Sequence, residues 1–248
     1  MDKILLITGA SSDVGVSLLK KIYRDYSVIY LHYSHMNDKL QEAIDEIKSA
    51  QSSDTPQIIP VCADFGTMDG VYALIEEIKG TGILPNSIVH LPAPKLYNKQ
   101  FNKDKTENFD IAWQICVRSI TEILHAFIPN MAKQKYGRIV FMLTSSTLGI
   151  PAKYQASYVT AKYALLGLMK ALSAEYSDRG ITSNGISPDM METKFLAEVP
   201  EMIIEKNASN SPIGRNIRIE EIIPVVEYML SDSGASMTGQ NIGITGGL

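Results

Sequence analysis

The chain is 248 residues long, 45% hydrophobic and 20% charged, with 17 Gly, 11 Pro and 2 Cys, which excludes disordered, collagen-like and disulfide-scaffold classes. Its formal charge of -4, from 23 Lys+Arg against 27 Asp+Glu interspersed along the chain, offers no broad basic face and argues against a nucleic-acid partner. The length admits one α/β domain or two small ones.

The opening run MDKILLITGA is too short for a signal peptide, and no later stretch is read as reaching the roughly 20 apolar residues that span a bilayer. The expectation is a cytoplasmic protein with no membrane partner. Cys62 and Cys116 lack metal-ligand spacing and are read as buried small hydrophobes in a reducing compartment. Short aliphatic runs predict strands over 3–8, 27–32, 57–62, 87–91, 137–143, 181–187 and 241–245. Helical patterns lie between them. Leu40, Ala43, Ile44 and Ile47 share one face, as do Leu74, Ile75 and Ile78, with Gly80 as a stop signal. Nearly continuous apolar strands separated by helices imply parallel pairing with both sheet faces covered, hence a doubly wound sheet of about seven strands. No repeat or linker interrupts the alternation, so residues 1–248 are expected to form one domain. Residues 189–215 form a long crossover holding Met190, Met191, Phe195, Leu196, Met202, Ile203 and Ile204, which is expected to act as a substrate lid.

After the first strand comes Thr8-Gly9-Ala10-Ser11-Ser12-Asp13-Val14-Gly15 and then a helix-like stretch. Small residues there let a pyrophosphate approach the backbone, and the helix N-terminus offers free N–H groups and a positive dipole. A plain βα turn with an Asp N-cap is the other reading. TGASSDVG resembles the TGxxxGxG turn of the short-chain dehydrogenases/reductases, with Asp13 where that family has its second glycine. Asp13 is expected to cap the helix and point away from phosphates. By spacing, the position that holds an Asp for the adenosine ribose in NAD enzymes is Tyr33. With no carboxylate to repel a 2′-phosphate and His35 nearby as a donor, NADP(H) is favoured over NAD(H). A metal pair of His32 and His35 finds no third ligand. Asp64 matches the family's adenine-contacting Asp.

Tyr158 and Lys162 are four apart and share one face of a helix, so an ammonium can lie near a phenol and favour its ionised form. Thr144-Ser145-Ser146 ends a strand 12 to 14 residues upstream. The whole stretch resembles the family's catalytic segment, and MTGQNIGITGG its C-terminal signature. The resemblance covers nearly the whole chain and implies a single Rossmann domain. It also implies a proton relay in which Tyr158 exchanges a proton with a carbonyl or alcohol oxygen. Lys162 lowers the Tyr pKa and holds the nicotinamide ribose, and a serine hydroxyl binds the reacting oxygen. Spacing selects Ser145 and the SSxxG pattern selects Ser146; both stand as catalytic candidates.

The resemblance assigns cofactor contacts to Gly9, Ser11, Ser12, Val14, Gly15, Tyr33, Asp64, Ala93, Tyr158, Lys162 and Thr193. Besides Asp13, the chain departs from the family where Leu91-Pro92-Ala93-Pro94 replaces its NNAG, Cys116 replaces the helix Asn of the tetrad, and Asp189 replaces the glycine after Pro188. The implied activity is an NAD(P)-dependent oxidoreductase interconverting a carbonyl and a secondary alcohol. The runner-up is a non-catalytic cofactor-binding or assembly protein, and a sugar epimerase or dehydratase ranks last. The pattern is nearest the 3-oxoacyl-carrier-protein reductase type, implying a hydrophobic or acyl carbonyl substrate. Lys133, Lys135, Arg138 and Arg179 are candidate contacts to an acidic carrier. Family habit implies a homotetramer or homodimer through the helices containing Trp113 to Phe127 and Tyr158 to Tyr176.

Overall fold

All seven expected strands form in the computed structural model, which describes residues 2–50 and 55–247. They are β1 Ile4–Thr8, β2 Val28–Tyr33, β3 Gln57–Cys62, β4 Ser87–His90, β5 Gly137–Met142, β6 Ile181–Pro188 and β7 Asn241–Ile244. Every pairing is parallel, in the order β3-β2-β1-β4-β5-β6-β7. The fold is a single-domain Rossmann-like α/β sheet with helices on both faces. Because both faces are covered, β1 and β5 are buried at every residue, which explains why they are apolar but for Thr8 and Arg138.

One face carries α1 Asp13–Ile22, α2 Asp38–Ser49 and α8 Ile219–Leu230, packed on Leu5, Ile7, Ile29, Leu31 and Val140. The other carries α3 Met68–Gly80, α4 Thr106–Trp113, α5 Ser119–Gln134 and α6 Ala156–Tyr176, packed on Leu6, Tyr30, Ile88, Ile139 and Phe141. The expected apolar faces of α2 and α3 are those buried. Helix α3 includes Gly80 and is capped by Thr81, so the expected stop lies slightly beyond Gly80; the left-handed residue is Gly82, at φ 72°. Helices α4 and α5 are joined by a π-helical segment, Gln114–Arg118, giving one continuous helix over Thr106–Gln134. By length and composition alone that helix passes for a membrane span, contrary to the sequence expectation. Ile120, Ile123, Leu124, Phe127 and Met131 bury its apolar side in the domain core, where core helices of this kind reside.

The crossover 189–215 is not one long loop. It contains a 3₁₀ turn at Lys194–Leu196 and helix α7, Glu201–Asn210, none of whose residues is buried. Both cysteines are free, but Cys62 is exposed, not buried as expected. It is the last residue of β3, the edge strand of the sheet. Arg138 also departs from expectation. It is 4% exposed and donates to the carbonyls of Gly137, Gly180 and Ser231, so it ties β5 to its neighbours and presents no charge to a carrier.

Candidate active site

The strand order reverses between β1 and β4, and crevices form at such a switch beyond the carboxyl ends of the strands. A cleft of about 570 Å³ opens there.

Its inner wall is the turn from β1 to α1. Gly9 takes φ 72°, and a Cβ on it would sit 3.3 Å from the Pro92 amide nitrogen, so glycine is needed for this close approach. The helix cap differs from expectation. Ser12 is the N-cap, its Oγ accepting from the Gly15 amide at 3.1 Å. Asp13 is the first helical residue, and its carboxylate turns outward. Oδ1 accepts from Lys39 Nζ at 2.6 Å and Oδ2 from the Lys194 backbone amide at 2.9 Å. Partial burial raises the Asp13 pKa, but the Lys39 and Lys194 bonds outweigh it and hold the carboxyl below its ordinary value. Gly15 does not line the cleft. A Cβ there would meet the Ala10 carbonyl at 2.6 Å, so Gly15 lets α1 pack on the turn.

The rim holds two further results. Tyr33 lies outside the cleft and Ser34 lines it. Side chains alternate along a strand, and Tyr33 follows Ile29 and Leu31 to the core face beneath α1 and α2. Neighbouring His32 is buried, stacked on Phe65 at 3.8 Å between ring centroids. Its Nδ1 accepts from the Gly9 amide at 3.1 Å and its Nε2–H donates to the Ala63 carbonyl at 3.0 Å. Both nitrogens are therefore committed, one tautomer is fixed, and no lone pair remains for a metal. Burial pushes its pKa down to about 4. Asp64, also on the rim, accepts from the Gly66 amide at 2.7 Å.

At the inner end Tyr158 and Lys162 project from α6, with Lys162 Nζ 5.7 Å from the Tyr158 ring centroid. Lys162 is 1% exposed and donates to the Met142 carbonyl at 2.7 Å. Burial lowers the Lys162 pKa and raises that of Tyr158, with Cys116 raising it further and a Thr144 hydrogen bond opposing. The Tyr158 phenol thus lies above its ordinary value, with burial the largest cause. The phenol is held protonated, the form that donates. Ser145 and Ser146 both line the cleft, as do Gly9, Ser11, Ser12, Val14, Asp64, Ala93 and Thr193. Ser145 Oγ donates to Asp189 Oδ1 at 2.9 Å. Phe195, from the crossover, lies 5.9 Å from the Tyr158 ring.

One residue behind this wall escaped the sequence reading. His90 is fully buried; its Nδ1 accepts from Thr8 Oγ1 at 2.8 Å and its Nε2–H donates to the Cys116 carbonyl at 2.9 Å. Burial and the Lys162 charge push its pKa down to about 3. The π-helical turn leaves the Cys116 carbonyl free to take this bond, while the Cys116 thiol donates to the Pro92 carbonyl at 3.6 Å. The thiol thus serves the β4 loop and Lys162 finds a backbone carbonyl instead. A histidine at the end of a buried strand carries no motif, so no sequence signal marked it.

A family model described as Enoyl-(Acyl carrier protein) reductase matches residues 27–248. The 3-oxoacyl-(acyl-carrier-protein) reductase FabG of Thermotoga maritima is 26% identical over 247 residues, 99% of this chain and 97% of the relative. Among solved structures, a 3-oxoacyl-(acyl-carrier-protein) reductase from Agrobacterium tumefaciens C58 with NADP bound matches at a TM-score of 0.86 and 19% identity, covering 99% of this chain and 94% of that one. An NAD+-bound xylitol dehydrogenase matches at 0.84 and 21%, covering 99% and 98%.

Proposed function

The chain belongs to the family described as Enoyl-(Acyl carrier protein) reductase, and on that premise we propose that it interconverts a carbonyl and a secondary alcohol with NADP(H). One observation carries the reading: Tyr158, Lys162, Ser145 and Ser146 converge on the same cleft as the glycine turn at the start of α1. The cleft fits a dinucleotide. Gly9, Ser11, Ser12 and Val14 line it with small side chains at the start of α1, and the one carboxylate on the turn, Asp13, is neutralised by Lys39.

A bound nicotinamide would supply hydride transfer to or from the reacting carbon. The chain's residues do the rest. Ser11 and Val14 would present donors to a pyrophosphate at the positive end of α1, while Gly9 and Ser12, whose donors are spent on His32 and the Gly9 carbonyl, would shape the turn. Of the other lining residues, Asp64 and Ser34 would hold the adenosine part, and Ala93 and Thr193 the nicotinamide part. Tyr158, protonated, donates to the carbonyl oxygen, and Lys162 steadies the charge that develops on the phenolate. Ser145 or Ser146 donates a second hydrogen bond to that oxygen. Ser34, in the place expected for Tyr33, is no carboxylate, so a 2′-phosphate meets no repulsion and NADP(H) is preferred.

The proposed substrate is a small apolar or acyl carbonyl compound, the lid is 189–215, the assembly a homotetramer or homodimer, and the location cytoplasmic. The Lys162 bond to Met142 and the Cys116 bond to Pro92 give the runner-up, a cofactor-binding protein without turnover, its own support. Nicotinamide fluorescence on titration with NADPH, followed by NADPH oxidation with acetoacetyl-CoA, crotonyl-CoA and simple ketones, separates the readings. Turnover of ketones but not of the enoyl thioester is the expected result. Binding without any turnover favours the runner-up, and no binding defeats both.

A further inference from the structure

We infer that Asp189 and Ser145 form an acceptor subsite selecting carbonyl compounds with a hydroxyl or protonated amine next to the reacting group. The inference rests on the carbonyl-alcohol reading above and names its substrate class. Ser145 Oγ donates its only proton to Asp189 Oδ1 at 2.9 Å, leaving its lone pairs free. Asp189 Oδ2 accepts from Asn207 Nδ2 at 2.9 Å, and the same Asn207 nitrogen reaches Asn216 Oδ1 at 3.1 Å. The carboxylate is thereby fixed from both sides, by the end of β5 and by α7.

Each carboxylate oxygen offers two lone pairs and each has one partner, so two acceptor positions remain. Among the described residues Asp189 forms no ion pair, whereas Asp13 at the other end of the cleft is neutralised by Lys39. An unneutralised charge thus lines the cleft one hydrogen bond from a candidate catalytic serine, beside apolar Met190, Met191 and Phe195. Such a charge attracts a donor or cation and repels an anion, most strongly where water is thin. Ser146 Oγ has no hydrogen-bond partner among the described residues and is free to donate to the reacting carbonyl. The two serines then divide the work: Ser146 donates to the reacting oxygen and Ser145 accepts from the adjacent group.

The test compares kcat/KM for acetophenone, 2-aminoacetophenone, 2-hydroxyacetophenone and phenylglyoxylate, which share a ring and differ in the adjacent group. The amino and hydroxy ketones should exceed acetophenone and phenylglyoxylate should trail. In Asp189→Asn, which keeps an acceptor for Ser145, the ratio of amino ketone to acetophenone should fall at least about tenfold, as expected for losing a charge-assisted bond. Asp189→Gly should do the same, and the ratio cancels any uniform loss from folding. Equal ratios in wild type and both variants overturn the subsite. If wild type reduces none of the four ketones, the acetoacetyl-CoA assay still decides the carbonyl-alcohol reading and binding decides the subsite. Calorimetry of 2-amino-1-phenylethanol against 1-phenylethanol should show a preference that Asp189→Asn removes, and equal affinities overturn it.

Discussion

A phenol that burial keeps protonated can act only as a donor until its proton is taken, so the Tyr158 hydroxyl is the atom on which turnover should depend most. Tyr158→Phe deletes that hydroxyl alone, and turnover should fall at least about 10²-fold with NADPH affinity little changed; wild-type-like turnover would remove Tyr158 from the mechanism. Ser145→Ala and Ser146→Ala should differ, the larger loss in ketone reduction falling on Ser146, since the Ser145 proton is already held by Asp189. Ser34→Asp should shift the ratio of NADPH to NADH dissociation constants toward NADH, because a carboxylate accepts from ribose hydroxyls and repels a 2′-phosphate. At this scale the sequence was legible where a residue's chemistry is its own and illegible where geometry assigns it. Tyr158, Lys162 and the serines were readable from spacing. Tyr33 was misplaced by one residue because strand alternation decides which neighbour faces the cleft. The depth at which Tyr158 is buried was not readable, because a motif conveys the nearby ammonium but not the packing around it.

Between elements, one contact runs from the start of α1 to the crossover. The Asp13 carboxylate holds Lys39 at the start of α2 and the Lys194 amide in the 3₁₀ turn. Position alone named Asp13 as the cap, since serine and aspartate cap equally well and only the side-chain direction shows that Ser12 does it. Ser12→Ala should therefore cost about 1 kcal/mol of stability, measured by urea unfolding, with Asp13→Asn costing less. Asp13→Asn should instead loosen the crossover, read as faster hydrogen exchange in residues 189–215 and a raised KM for ketone. Unchanged exchange there would mean that the Lys194 contact does not hold the segment. Helix α7 was illegible because it buries no residue, and a helix without a buried face leaves no periodic stripe. The π-helical turn was hidden for a related reason, since one extra residue in a turn leaves the apolar pattern on either side intact.

For the molecule as a whole, the alternation of apolar strands and amphipathic helices made the sheet readable, because burial of both faces writes itself into every strand. The two histidines that fasten the strand ends to the cleft wall left no such trace. His32 bridges the glycine turn to the loop after β3, and His90 bridges β1 to the π-helical turn. Each uses one nitrogen as donor and the other as acceptor, so both must be neutral for the wall to hold. Their pKa values are pushed down to about 4 and about 3, whereas in the unfolded chain they titrate near 6.5. The unfolded state thus binds more protons below that value, and stability present above it is lost as pH falls toward 4. Each imidazole contributes a slope of up to about 1.4 kcal/mol per pH unit. The depressed carboxyls Asp13, Glu221 and Asp232 add to this only near and below their unfolded values of roughly 4. The interval from pH 6.5 to 5 therefore isolates the histidines. Urea unfolding across it should show stability falling with pH, and His32→Gln, which keeps one donor and one acceptor, should remove about half of the slope. Equal slopes for the two proteins would mean that His32 carries a proton in the fold, and the bonds to Gly9 and Ala63 could not both stand.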